Sequence, residues 1–254
     1  MIGRLIFTIL TPIILCSGLL LTGCSTLPRT TMETQPPIRK YEDLVDNGKQ
    51  HPLEIYDPLE GFNRGTYRFN YYFDKYIFLP VVSAYDFVLP NYVEDRISNF
   101  VDNVFEFNNL FNNLLQGKLQ GTGITLSRLV INSTVGIGGL WDPATGWGIH
   151  QQPEDFGQTL GYYGAGHGPY LILPILGPSN LRDTIGILGD SASFAGVGPV
   201  AWVESNAASR SFTGVSSVDR RHRQSFRYYQ TGSPFEYEMV RLFYTKKREL
   251  EISR

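Results

Sequence analysis

The side chains that could carry chemistry are few: two cysteines, Cys16 and Cys24, and four histidines, His51, His150, His167 and His222. No two histidines stand at a metal-ligand spacing and no His-Glu-x-x-His cluster occurs, so no metal site is expected. His51 lies in a polar stretch and His222 in a basic run, where both read as solvated; His167, inside a glycine cluster, has the most suggestive setting. There is no Gly-x-Ser-x-Gly nucleophile elbow, and Gly164-Ala-Gly-His-Gly168 lacks the strand-turn-helix context of a dinucleotide fingerprint. A dispersed Ser/His/Asp triad leaves no mark in a single sequence, but nothing here demands an enzyme or a cofactor.

The cysteines carry a different chemistry. A basic start at Arg4 and an apolar run from Leu5 to Leu20 lead to Leu21-Thr22-Gly23-Cys24, after which the chain turns polar. This is the layout of a secretory signal. Its ending resembles the lipobox of bacterial lipoproteins, in which the Cys thiol is acylated and becomes the first mature residue. The alternative, an uncleaved transmembrane helix, is disfavoured because the run falls short of the ~20 residues that cross a bilayer and is interrupted by Pro12 and Gly18. Residues 1–23 are therefore expected to be removed and Cys24 acylated. With Cys16 lost, no thiol remains for disulfides, thiolate metal sites or nucleophilic catalysis. Export argues against a nucleic-acid partner, and Ser25, by resemblance to lipoproteins generally, favours the outer membrane.

The net charge of −2 hides an uneven distribution: residues 210–254 carry +5, and residues 24–209 carry −8. The basic end reads first as a solvated helix face, with attraction to anionic headgroups or an acidic partner as the alternative. The mature chain has no apolar run long enough for a transmembrane helix and no repeated alternating segments of a barrel.

These features need elements to position them. Residues 24–56, rich in Ser, Thr, Pro and Gln, read as a flexible tether, and 57–254 as one helical domain. Asp57-Pro58-Leu59-Glu60 predicts a helix start, with Asp57 as N-cap, Pro58 at the first position and Glu60 closing a capping box. Phe62, Phe69, Phe73 and Tyr76 then fall on one face before Pro80. Such an aromatic stripe reads first as core, and alternatively as an interfacial helix laid into headgroups. Val93, Ile97, Phe100 and Val104, continued by Phe107, Leu110, Phe111 and Leu114, predict a second helix up to Gly117. Asn108, Asn109, Asn112 and Asn113 on it read as exposed, or else as bonding across helices or lining a wet passage. A third helix is expected over 122–135.

Between Gly136 and Gly198 lie fifteen of the 26 glycines and five prolines, which predicts long structured loops. Tyr170 to Leu176 is at best a short edge strand, with a helix through Leu181, Ile185 and Leu188 after a cap at Ser179 or Asn180. A weak helical region over 203–229, broken near Gly214, precedes a last helix opened by Ser233-Pro-Phe-Glu236. Its Met239, Val240, Leu242 and Phe243 supply apolar positions, and Lys246, Lys247 and Arg248 suit its C-terminal turn.

From Asp57 onward the motifs resemble the MlaA/VacJ family of outer-membrane lipoproteins. The matching stretches are Asp57-Pro58-Leu59-Glu60-Gly61-Phe62-Asn63-Arg64, Phe69-Asn70, Ser98-Asn99-Phe100, Leu115-Gln116-Gly117, Arg128 with Asn132, Gly136-Ile137-Gly138-Gly139, Phe156 to Gly161, Gly168-Pro169-Tyr170, Leu173-Pro174 and Leu181-Arg182-Asp183. They keep one order over residues 57 to about 190; the tether and the end after Gly198 match poorly, and Arg68 stands where family members often have Asn.

The resemblance implies a mainly α fold: a ring of amphipathic helices with long Gly-rich loops, embedded in the inner leaflet of the outer membrane and facing the periplasm. It implies a non-catalytic function, withdrawal of misplaced phospholipids from the outer leaflet through an amphipathic channel to maintain lipid asymmetry. The partners implied are an outer-membrane porin trimer and a soluble periplasmic lipid carrier. On this reading the helices over 57–135 form the ring, and the loop with Gly136, Gly138, Gly139, Trp141 and Asp142 is the channel's movable wall. The alternatives are a structural or virulence-related lipoprotein linked to intercellular spreading, and a lipid hydrolase using His167.

Overall fold

In α1, Glu60–Phe73, the inward face is the polar one: Asn63, Thr66, Tyr67 and Asn70 are buried, at spacings of three and four residues that keep them on one side. The aromatic stripe faces out, with Phe62 61% exposed, Phe69 49% and Tyr76 64%. The expectation of an aromatic core is thereby overturned. Polar side chains dominate the buried positions of several later helices as well.

The computed structural model describes residues 55–199 and 206–253, all within a compact unit that spans Gln35–Arg254. The signal segment, Cys24 and nearly all of the tether lie outside the described residues, as does His51. After α1 the helical backbone widens into a π-turn, Asp74–Phe78, and continues as α2, Leu79–Val88. Helix was expected to stop before Pro80; instead Pro80 sits in the first turn of α2, where its missing N–H costs little. A corner leads to α3, Asn91–Leu115, and a short turn to α4, Leu119–Thr134, packed along α3. Then come the short α5, Pro143–Gly146, and α6, Phe156–Tyr162. Strands β1, Tyr170–Leu173, and β2, Gly177–Asn180, form an antiparallel hairpin in which Tyr170 faces Asn180. The remaining helices are α7, Leu181–Val197, α8, Asn206–His222, and α9, Glu236–Ile252. α8 runs through Gly214 without the expected break. None of the described helices is long and apolar enough to cross a membrane.

Of the two caps expected for α1 and α7, one forms and one does not. Asn180 does cap α7, accepting from the Asp183 amide, but α1 begins without a side-chain cap. Asp57 is drawn away to α9, where Tyr237 Oη donates to it and Arg241 Nη1 lies 3.0 Å from Oδ2. Glu60 pairs with Arg64 at 2.6 Å. An ion pair in a dry site outweighs one N-cap bond, so the capping motif works as a long-range clasp. In α9, Lys246, Lys247 and Arg248 stand a turn before the end rather than in the last turn.

A small aromatic nucleus holds the hairpin to the helices: Tyr67, Tyr170, Ile172 and Tyr237, with Tyr228, Tyr229, Val240 and Tyr244 around them. Tyr67 meets Tyr228, Tyr229 and Tyr237 edge-on, with ring centroids 4.9–6.0 Å apart. Elsewhere α6 and α7 approach so closely that a Cβ on Gly186 would stand 2.4 Å from the Gly157 backbone nitrogen.

Candidate functional site

The inward faces of α3, α4, α7 and α9 are built from polar side chains, and these must find partners because a buried polar group without one is costly. On α3 the asparagine row expected to be exposed is interior: Asn109, Asn112 and Asn113 are buried, with Asn112 at 0% exposure. Asn112 Nδ2 donates to Asp190 Oδ1 at 2.9 Å while its Oδ1 accepts from Thr159 Oγ1 at 2.9 Å. Asn109 Oδ1 accepts the Glu154 amide at 3.2 Å, and Asn113 Nδ2 reaches the Gln152 carbonyl at 3.3 Å. Gln116 Nε2 donates to Glu154 Oε2 at 2.9 Å. The row thus pins the 150–159 segment and α7 to α3. Cross-helix bonding, the lesser sequence reading, is the one that holds.

Beside this row lie two adjoining cavities of about 410 and 350 Å3, both bounded by Pro153, Glu154, Gln158 and Glu251. The first is lined further by Asn113, Lys118, Gln120 and Gln152, the second by Asn109, Asp183, Asp190, Tyr244 and Arg248. Arg248 dominates the second. Its Nη1 and Nη2 bind the two oxygens of Asp155 at 2.7 and 2.8 Å, and its Nε binds Asp183 Oδ2 at 2.8 Å. Burial works against ionisation of Asp155 and Asp183, but the Arg248 guanidinium outweighs it and holds both carboxyls below the usual range. Tyr244 Oη also donates to Asp183, and Arg182 lies 2.8 Å from it. For Asp190 the balance reverses: burial, greater than the help of its bonds to Asn112 and the Phe156 amide, pushes its carboxyl up to about 6.

The glycine loop after α4 is held by a second buried cluster. Arg128 Nε binds Glu106 Oε1 at 2.6 Å, and its Nη2 reaches Asp142 Oδ2 at 3.0 Å. Asn132 Nδ2 donates to Asp142 Oδ1 at 3.0 Å, and Asp142 also caps α5 by accepting from the Thr145 amide. Gly139 (φ +90°) is pressed against Asn103, and Gly136 against the Asn132 carbonyl. Gly138 (φ +70°) stands in open space, and Trp141 is exposed. Asp142 and Trp141, with Arg96, Asn99 and Ile137, line an open cavity of about 730 Å3.

The basic end of the chain is divided: Arg210, Lys246 and Lys247 are exposed, as a solvated face would be, while other arginines are taken up in ion pairs. Arg221 binds Asp74 with two nitrogens, at 2.6 and 2.7 Å, Arg223 binds Asp102, Arg241 binds Asp57 and Arg248 binds Asp155 and Asp183. Arg221, Arg241 and Arg248 thereby neutralise acidic groups of the earlier chain in the interior.

The structure brings the motif residues together at two places. Asp57, Glu60, Asn63, Arg64 and Asn70 meet α9 or the hairpin, with Arg64 donating to Glu238, while Arg182 and Asp183 meet Arg248. Pro58, Phe62 and Phe69 stay on the outside. His167, half-buried, has Nδ1 2.6 Å from the Gly168 carbonyl. The residues the sequence reading missed are the α9 arginines, Glu106 and Asp190, whose signal was charge at buried helical spacing.

The MlaA lipoprotein family profile matches residues 55–251. An uncharacterized protein of Rickettsia prowazekii (strain Madrid E) is 41% identical over 131 residues, 52% of each chain. The intermembrane phospholipid transport system lipoprotein MlaA of Escherichia coli (strain K12) is 40% identical over 141 residues, 53% of this chain and 55% of that one. Its namesake in Haemophilus influenzae is 29% identical over 189 residues, 73% of this chain and 67% of that one. The chain spans about half the length of the first of these curated relatives. A solved structure described as the structural basis for maintenance of bacterial outer membrane lipid asymmetry superposes with a TM-score of 0.62 at 31% identity, covering 78% of this chain and all of that one. The chain belongs to the MlaA lipoprotein family.

Proposed function

We propose that this chain is a lipid-anchored component of an intermembrane phospholipid transport system in the outer membrane. It withdraws phospholipids misplaced in the outer leaflet and hands them to a soluble periplasmic carrier, with no covalent chemistry of its own. The observation that carries this reading is the inverted polarity of the helices. Phe62, Tyr76, Phe87 and Leu188 are turned outward while Asn112, Glu106, Arg128 and Asp183 are turned inward. In water so much exposed apolar surface would drive aggregation; at leaflet depth it is a girdle. A headgroup passing hydrocarbon needs polar company, since unpaired charge there costs several kcal/mol. The cavities beside Asn113 and Arg248, carrying both signs of charge, suit a zwitterionic or anionic headgroup. The names of the Escherichia coli and Haemophilus influenzae relatives support the same reading.

In this proposal Cys24 is the acylated anchor, the chain faces the periplasm from the inner leaflet, and a porin trimer holds the apolar girdle. The helices over 57–135 form the ring, and the loop 136–161 is its wall, held to α4 through Asp142 and to α3 through Gln152 and Glu154. Lipid mass spectrometry of the gently extracted lipoprotein with its co-purifying partners tests the reading. Intact phospholipid together with a porin is expected. Lysolipid would point instead to a hydrolase, and neither lipid nor porin to a structural anchor.

A further inference from the structure

We propose that Glu94 and His222 Nε2 ligate a divalent transition-metal cation of the zinc type, with Asp86 holding the imidazole from its other nitrogen, so that the cation staples the start of α3 to the end of α8. The three residues come from three elements: Asp86 from the last turn of α2, Glu94 from the first turn of α3, and His222 as the last residue of α8. Each offers a ligand atom within 4.8 Å of those of the other two. This inference does not depend on the lipid-transport reading.

The geometry favours a cation over a simple ion pair. His222 Nδ1 lies 2.7 Å from Asp86 Oδ1, a contact that in the neutral imidazole places the proton on Nδ1 and turns the Nε2 lone pair toward Glu94. Nε2 in turn faces Glu94 Oε2 across 3.8 Å, too far for a hydrogen bond. Zinc ligands at about 2.0–2.2 Å from the metal, set at a tetrahedral angle, stand roughly 3.4 Å apart, so the gap accepts a shared cation after a small side-chain adjustment. A carboxylate holding the far nitrogen of a metal-binding imidazole is also the usual supporting arrangement.

A second observation points the same way. Glu94 is 7% exposed, and its Oε1 has no hydrogen-bond partner among the described residues. A buried carboxylate oxygen left so is costly, and a cation satisfies it. The Tyr85 hydroxyl is likewise buried and unpaired, and its ring packs on His222 with centroids 5.6 Å apart. Protein cations near the cluster are engaged elsewhere. Arg223 binds Asp102 and Asp219, and Arg227 donates to the Gln224 and Phe226 carbonyls. One imidazole nitrogen with carboxylate oxygens is a donor set that suits zinc or a neighbouring transition metal better than magnesium or calcium, which prefer all-oxygen cages.

The test is calorimetric titration of tag-free, full-length, chelator-treated protein in detergent with Zn2+, with Mg2+ as control. One Zn2+ per chain is expected, with a rise in Tm, while Mg2+ at the same concentration gives no heat. Asp86→Asn, at a half-exposed position that folding tolerates, and His222→Ala should each weaken Zn2+ binding about 10- to 100-fold with helical circular dichroism unchanged. Absence of stoichiometric Zn2+ uptake by the unaltered protein would overturn the proposal. So would undiminished uptake by both variants, since the metal would then be held elsewhere.

Discussion

Asn63 and Asn70, seven residues apart on α1, each clamp a carbonyl and an amide two residues further on in the hairpin, Asn63 on β1 and Asn70 on the end of β1 and the turn after it. Asn63 Nδ2 donates to the Tyr170 carbonyl at 3.0 Å and its Oδ1 accepts the Ile172 amide at 2.8 Å. Asn70 Nδ2 donates to the Leu173 carbonyl at 3.0 Å and its Oδ1 accepts the Ile175 amide at 2.7 Å. Asn63 thus stands in for a missing neighbour on β1, closing an edge that would otherwise be open, and Asn70 fixes the turn that follows.

Replacing Asn63 with Leu should destabilise the fold more than its lost contacts suggest. It leaves a carbonyl and an amide of the buried hairpin without partners, each worth about 1–3 kcal/mol, and removes a bond to Asp57. Denaturant unfolding in detergent should show a loss of roughly 2–5 kcal/mol. Asn63→Asp should do no better, because its carboxylate would face the Tyr170 carbonyl; wild-type stability in either variant would refute the surrogate-strand account.

Stability should pass through two opposite trends on the acid side. Asp155 and Asp183 ionise more readily in the folded chain than in the unfolded one. Their contribution is present above the ordinary carboxylate range and is lost as pH falls below about 4. Asp190, with its carboxyl pushed up to about 6, behaves in the reverse sense: the folded chain holds its proton more tightly, so stability is lost as pH rises from about 4 to 6. The shift corresponds to a few kcal/mol at most, on the order of 1.4 per pH unit. Unfolding midpoints from pH 4 to 7 should therefore fall less steeply in Asp190→Asn than in the unaltered protein, and parallel curves would sink the assignment.

Adjacent glycines in the loop should respond differently to alanine. Both Gly138 and Gly139 have positive φ, so each change carries a backbone cost of about 1 kcal/mol. At Gly139 the new Cβ would also lie 2.6 Å from Asn103 Cβ, whereas Gly138 has open space. Gly139→Ala should lower the Tm clearly further than Gly138→Ala. If the loop is the wall of a lipid passage, Gly138→Ala should in addition slow removal of outer-leaflet phospholipid while leaving the fold intact.

Helix positions were legible in the sequence because periodicity marks a face regardless of what the face touches. Which face points inward was not. Phe62, Phe69 and Tyr76 lie on one side as expected, yet the side buried is that of Asn63, Tyr67 and Asn70. Hydrophobic patterning assumes water outside, and that assumption fails for a chain whose apolar side is not its interior. The partners of Arg221, Arg241 and Arg248 were also out of reach, being separated in sequence from Asp74, Asp57 and Asp183 by as many as 184 residues. Charge asymmetry between the two ends was the visible trace of that pairing. The β2 strand, Gly177-Pro-Ser-Asn180, has no strand propensity and forms because Tyr170 to Leu173 offers it a partner.

On the proposed reading, attachment rests on two independent terms, the acyl anchor at Cys24 and the outward aromatics. Each large apolar side chain buried in lipid adds about 1.5–3 kcal/mol to what the acyl anchor supplies. Phe62, Tyr76 and Phe87, at 61%, 64% and 90% exposure, can supply such a term without Cys24. An exported Cys24→Ala variant should therefore stay partly with the membrane fraction. Adding Phe62→Asp and Phe87→Asp should move it to the soluble periplasmic fraction, whereas the two aspartates in the acylated protein should leave it bound but easier to extract with salt or mild detergent. Complete release by Cys24→Ala alone would mean that the aromatic face meets something other than lipid.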